Sequence, residues 1–126
     1  MRTLSILIGL VAVAIAVPAL APAKASPGVI RQGKCSGSAS WKLKAKLDDG
    51  LIETEFEVDQ NIAGRRWNVV ITRDGATVFR GVRTTRPPSG SFTVERRIRN
   101  PAGSDRIVAK ATAARGGQVC RGVVNI

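Results

Sequence analysis

Histidine and tyrosine are absent from this 126-residue chain, which also has only two cysteines, one methionine, two tryptophans and three phenylalanines. Without histidine there is no Ser-His-Asp triad, no imidazole general base and no histidine-ligated zinc. Two cysteines cannot build the usual four-ligand zinc site, and once paired with each other they leave no thiol nucleophile. Phosphate-binding loops and dinucleotide fingerprints are missing, and so is any helical periodicity on which they would sit. The nine acidic residues leave carboxylate chemistry, such as the paired acids of glycoside hydrolysis, as the enzymatic opening.

Only one long apolar run is present. Arg2 precedes residues 4–17, an uncharged stretch closed by Pro18, which is the layout of an export signal. Ala23-Lys24-Ala25 supplies a small-residue cleavage site, with cleavage expected after Ala25 and the overlapping Ala21-Pro22-Ala23 as second choice. The run falls short of the roughly 20 apolar residues needed to span a bilayer. No twin arginines precede it, and no cysteine stands at the cleavage site to accept lipid. The sequence therefore predicts a signal peptide over residues 1–25, export by the general bacterial route, no stable membrane insertion after cleavage, and a secreted, extracellular product. In that oxidising destination Cys35 and Cys120 are expected to form one disulfide.

Residues 26–33, with Pro27, Gly28 and Gly33, read as a flexible lead-in to a single domain over 34–126. That domain alternates. Trp41, Leu43, Ala45 and Leu47 fall on one face of a strand and Lys42, Lys44 and Lys46 on the other; Ile52, Thr54, Phe56 and Val58 then alternate with Glu53, Glu55, Glu57 and Asp59. With residues 48–51 as the loop, Leu43 faces Phe56 while Lys46, Lys44 and Lys42 face Glu53, Glu55 and Glu57. A slip by one residue would set apolar groups against carboxylates. Trp67, Val69 and Ile71 mark an inward face in 66–73, and Asp74-Gly75 is a two-residue hairpin signal before a return strand, 76–84. Pairing across that turn puts Arg80 against Val69, so a bulge or an edge position is expected near residues 79–81. Further strands are expected over 91–98, 105–113 and 118–125, with a short one around Cys35. Seven or eight strands without a helix predict an all-β, two-sheet antiparallel sandwich.

Strand number and spacing, with core tryptophans at Trp41 and Trp67, resemble an immunoglobulin or fibronectin type III sandwich. The likeness implies architecture. It departs from antibody domains in placing its cysteines on the first and last strands and in having no tyrosine for a tyrosine corner, and a shared fold carries no function. The segments Cys35-Ser36-Gly37, residues 56–61 (FEVDQN), Arg83-Thr84-Thr85, residues 88–92 (PSGSF) and Cys120-Arg121-Gly122 also resemble small exported proteins of high-GC Gram-positive bacteria, a resemblance that brings no functional residues with it.

Charge is the remaining signal. Residues 26–61 hold five basic and six acidic side chains, whereas residues 62–126 hold thirteen basic, twelve of them arginine, and three acidic. Arginine's planar fork suits phosphates, sulfates and carboxylates. The candidate anion-binding residues are Arg80, Arg83, Arg86, Arg96, Arg97 and Arg99, which would share a face in alternation if the strand around 80–86 lies beside or near that around 96–99. The expected function is a non-enzymatic exported binding module, needing no cofactor or metal, whose arginine-rich face contacts an anionic envelope polymer or an acidic protein. The alternatives are a structural or self-associating envelope protein joined through an exposed strand such as 76–84, a carboxylate-dependent hydrolase, and a basic surface that serves solubility alone. A hydrolase needs two acids flanking a cleft, yet Glu53, Glu55 and Glu57 stand opposite lysines on one strand face. Asp48, Asp49 and Asp59 offer oxygens to calcium but lack EF-hand spacing. Nucleic acid fits less well, because the few aromatic residues fall at predicted core positions and leave little to stack bases on. Oligomeric state is left open.

Overall fold

Alternation of apolar and charged side chains through residues 40–59 admits one register, and that register is observed. The computed structural model describes residues 9–16, 28–99 and 103–126. Its strands are β1 (Val29–Lys34), β2 (Ser40–Asp48), β3 (Leu51–Asp59), β4 (Arg66–Arg73), β5 (Ala76–Thr84), β6 (Ser91–Arg99), β7 (Arg106–Ala113) and β8 (Val119–Asn125). Across β2 and β3, Leu47 faces Ile52, Leu43 faces Phe56 and Trp41 faces Val58, while Lys46, Lys44 and Lys42 face Glu53, Glu55 and Glu57. The connection is tighter than the expected four-residue loop. Asp48 already pairs with Leu51, and Asp49 and Gly50 turn the chain at φ of 49° and 73°, left-handed at both positions as a two-residue hairpin requires.

The strands form two four-stranded antiparallel sheets, in the orders β1-β2-β3-β6 and β5-β4-β7-β8. Their inner faces meet in one core. Leu43, Ile52, Phe56 and Val58 come from the first sheet, and Trp67, Val69, Ile71 and Ile107 from the second, all at 0% exposure. Emptying the site of a side chain such as Phe56 or Trp67 would cost about 3–5 kcal/mol. Alanines at 109, 111 and 113 keep the β7 inner face low, which makes room for the indole of Trp67 on the neighbouring β4, whose Cα partner on β7 is Ala113.

The two long sides of the sandwich are closed differently. On one, β1 and β8 approach each other, and a disulfide joins Cys35, which follows β1 rather than lying on a strand as expected, to Cys120 of β8 across 85 residues of sequence. Removing that much chain freedom from the unfolded state is worth about 4–5 kcal/mol by loop-closure entropy. On the other side β5 and β6, edge strands of different sheets, face each other with no covalent tie.

Three expectations shift. The lead-in is strand from Val29 onward, because Val29 to Lys34 pair residue by residue with Ala45 to Ser40. The β4–β5 hairpin carries its bulge one residue earlier than expected: Thr72 pairs with Thr77 but Ile71 pairs with Phe79, leaving Val78 extra. The bulge turns Phe79 rather than Val78 into the core, so Val69 faces Gly81, not Arg80, and Trp67 faces Arg83. Finally, Trp41 is only partly buried. It lies on the disulfide side, where a Cβ on Gly33 would come within 3.0 Å of its ring and one on Gly122 within 2.5 Å.

The expected export signal lies largely outside the described residues, and residues 9–16 carry no regular secondary structure. Among the described residues no helix is long and apolar enough to cross a membrane.

Gly122 supplies the sharpest packing test, since it is buried and the indole already occupies its side-chain space. Gly122→Ala is expected to displace Trp41 and cost about 1–3 kcal/mol. Urea unfolding with tryptophan fluorescence checks this; an unchanged midpoint would contradict the packing.

Candidate anion-binding surface

The bulge in β5 sets the direction of every arginine that follows it. With Phe79 inward, Gly81 and Arg83 share the inner side of β5, and Arg80 points to the outer face of the second sheet. On β6 the inner set is Phe92, Val94, Arg96 and Ile98, so Arg97 and Arg99 point to the outer face of the first sheet. Strands β5 and β6, which bear five of the six candidate arginines, are therefore near one another without being paired as strands; Arg86 follows β5 and bridges to Ser91 at the start of β6, and the arginines do not share one face.

The open β5–β6 side brings two of them together. The guanidiniums of Arg83 and Arg96 lie over the Phe79 ring, 4.9 and 4.8 Å from its centroid. Each such contact contributes about 0.5–1 kcal/mol at an exposed site, and together they cover the ring where neither sheet has a further strand. Arg83 and Arg86 border a shallow groove of about 500 Å³ against Phe92 and Thr93. Arg96, Arg97 and Arg99 border another of about 410 Å³ with Arg73, whose guanidinium donates to the Arg99 carbonyl. Arg97 is also neutralised locally, its Nη2 lying 3.3 Å from Asp48 Oδ2 and 3.7 Å from Glu53 Oε1.

Carboxylates are distributed unevenly between the two outer faces. That of the first sheet mixes both signs: Lys42, Lys44 and Lys46 stand beside Glu57, Glu55 and Glu53, which stand beside Thr93, Glu95 and Arg97, with Glu55 and Glu95 a like-charge pair. Lys46 and Glu53 are 3.9 Å apart. On the second sheet the buried partners of alternation (Trp67, Val69, Phe79, Ala109, Ala111, Cys120) turn Arg66, Arg80, Lys110 and Arg121 outward. No acidic residue belongs to β4, β5, β7 or β8, and among the described residues none of these four cations makes an ion pair. Arg80, Val70, Lys110 and Arg121 form one row across the sheet. Lys110 directly opposes Arg121, a like-charge pairing that costs roughly 0.2–1 kcal/mol. Between the cations lie the half-exposed Val70, Val108, Thr112 and Val123 and the exposed Val82.

Arg66, Lys110 and Arg121 were not among the candidates. Alternation alone turns Lys110 outward, but only the β5-β4-β7-β8 order sets it in line with Arg80 and Arg121.

At the β4–β5 turn a buried acid adds an electrostatic constraint. Asp105 is 3% exposed, and Arg73 Nε lies 3.9 Å from its Oδ1. Burial first, then the charge of Asp74 and a side-chain hydrogen bond with Asp74, raise its pKa above the ordinary 3.8, with Arg73 opposing. Asp74 Oδ1 in turn accepts a hydrogen bond from the Arg106 backbone N–H at 2.8 Å, so the turn is tied to the start of β7.

Compared with known proteins, the chain matches no family model, no curated protein and no solved structure.

Because the folded state holds the Asp105 proton more tightly than the unfolded chain does, this residue's contribution to stability is present below the ordinary carboxylate pKa and is lost as pH rises through the elevated value. Asp105→Asn, a permanently neutral isostere, should therefore gain stability relative to the native protein as pH is raised from 3.8 to neutrality. Urea unfolding at a series of pH values measures the difference; a difference that is constant or falls with pH would contradict the assignment.

Proposed function

We propose that this protein is an exported, non-enzymatic β-sandwich module that binds an anionic polymer of the cell envelope through the outer face of its second sheet. The observation that carries the reading is the partition of charge. One face balances lysines against glutamates, while the other holds Arg66, Arg80, Lys110 and Arg121 without a carboxylate. The Lys110–Arg121 pair has no carboxylate beside it, unlike the Glu55–Glu95 pair of the first sheet, which Lys44 flanks, and a face that meets a line of anions gains attraction from every cation. Arg83 and Arg86, in the groove beside β5, extend the same positive field around the sheet edge. The disulfide supports export to an oxidising compartment.

Strand order supports kinship with immunoglobulin-like folds: β2-β3-β6 over β5-β4-β7-β8 follows the A-B-E and C′-C-F-G succession of such sandwiches, with β1 as an added edge. Association through the β5 edge is the less supported reading, because the Val78 bulge and the flanking Arg80 and Arg83 are devices that discourage strand addition.

Retention of the full-length protein on heparin or polyphosphate should fall steeply with salt. Arg80→Gln/Lys110→Gln/Arg121→Gln is expected to weaken it by about tenfold or more at fixed salt, and Lys34→Gln/Lys42→Gln/Lys44→Gln, which removes equal charge from the first sheet, by less than about threefold. Equal losses in the two variants, or retention insensitive to salt, would overturn the reading.

A further inference from the structure

The loop end of the sandwich carries a cluster of cations that the sheet-face reading leaves unused. After β3 the chain crosses to β4 through residues 60–65, and this crossing is pinned from beneath. Thr85, 2% exposed, donates its hydroxyl to the Ile62 carbonyl at 2.6 Å and accepts from the Arg65 N–H at 2.9 Å; its own carbonyl accepts from Gly64 N at 2.8 Å. Trp67 Nε1 donates to Gln60 Oε1 at 3.0 Å, and Ala114 N donates to the Arg66 carbonyl at 2.9 Å. With the backbone groups engaged in this way the loop is a fixed frame, and its long side chains stand around a pocket of about 550 Å³ lined by Gln60, Gly64, Arg65, Arg66, Arg115 and the start of the β7–β8 turn.

No carboxylate lines this pocket. Among the described residues none of the three arginines makes an ion pair, and the Gln60 amide keeps its NH₂ as a further donor because its oxygen is the atom bonded to Trp67. Asp59, the nearest acid in sequence, has Oδ1 occupied by the Asn61 N–H at 2.9 Å.

We propose that Arg65, Arg66 and Arg115 form a discrete site for a tetrahedral oxyanion group, a phosphate or sulfate monoester. Three planar forks need more acceptors than one small anion with two oxygens supplies. A carboxylate offers two, and an internal phosphodiester also has only two free oxygens; a monoester has three, and the phosphate form carries close to two charges. The pocket is larger than such a group alone and admits the sugar or alcohol that bears it. The site thus selects an end group or pendant monoester rather than the interior of a diester chain. It deepens the polyanion reading and rests on it for the polymer, since Arg66 belongs both to the pocket and to the sheet face.

The test is calorimetric titration of the full-length protein at constant ionic strength with inorganic phosphate, glycerol 3-phosphate, sulfate and acetate. Saturable binding of at least one tetrahedral oxyanion, with acetate about tenfold weaker or more, is expected, and the order of phosphate, its ester and sulfate identifies the natural source. Arg65→Gln/Arg115→Gln should abolish the binding, while Arg115→Lys, which keeps the charge without the fork, should weaken it yet leave polyphosphate retention intact. Arg80→Gln/Lys110→Gln/Arg121→Gln should weaken retention on polyphosphate, whose internal units have only two free oxygens, by about tenfold or more and keep monoester binding. Absence of a saturable site, acetate binding as tightly as phosphate, or native affinity in Arg65→Gln/Arg115→Gln would overturn this proposal even if heparin retention persists. Monoester binding in a protein with no polyphosphate retention would uphold the pocket and remove the sheet-face reading instead.

Discussion

Two adjacent strands whose side chains alternate with a period of two can be paired in many registers, but only one sets Leu43, Leu47 and Trp41 against Phe56, Ile52 and Val58 and every lysine of β2 beside a glutamate of β3. That single constraint orders the rest of the molecule. It holds Leu43, Ile52, Phe56 and Val58 against the second sheet, and it gathers Asp48 to Asp59, six of the nine acidic residues, into one hairpin. Glu95 on β6 joins them. Asp74 and Asp105 sit together at the β4–β5 turn end, tied up with Arg73 and Arg106. The second sheet is left with no acid on its strands, and among the described residues its outward Arg66, Arg80, Lys110 and Arg121 make no ion pair. The charge asymmetry of the protein is thus a direct result of how the first hairpin satisfies itself.

The unequal closure of the two sides follows the same economy of materials. Where β1 meets β8, a covalent bond and two glycines let Trp41 lie against the strands. Where β5 meets β6, the last inward aromatic, Phe79, is covered by the guanidiniums of Arg83 and Arg96. Arginine does two jobs there: its flat face shields apolar surface and its charge stays in water. The bulge at Val78 makes this possible by rotating Phe79 inward and placing Arg83, four residues on, on the same side of the strand.

Most of the fold was legible because alternation is a local signal. The bounds of β4 and β5, the β2–β3 register, the disulfide pairing and the two-sheet architecture all follow from periodicity, turn residues or the cysteine count. The bulge position was missed by one residue, since Val78 and Phe79 are both apolar and only the packed core prefers the larger ring. The first strand, expected around Cys35, lies earlier, at Val29–Lys34, because its text, VIRQGK, is polar and lies at an edge; its pairing with β2 is a backbone matter that side chains barely announce. The candidate site was less legible than the fold. Which arginines share a surface depends on which strands are neighbours, and β5 lies beside β4 rather than β6. Sequence proximity selected Arg96, Arg97 and Arg99, of which Arg97 is neutralised by Asp48 and Glu53, and passed over Lys110 and Arg121, which come late in the chain yet share a row with Arg80.

The central claim is that the second sheet, and not the first, is the anion-facing surface. Amide chemical-shift mapping during titration with a sulfated oligosaccharide tests it most directly. The account predicts perturbations along β4, β5, β7 and β8, strongest around Arg80, Lys110 and Arg121, and continuing to Arg66, with the Lys42–Lys46 and Glu53–Glu57 region silent. Perturbations centred on the lysine–glutamate ladder, or spread evenly over both faces, would contradict it.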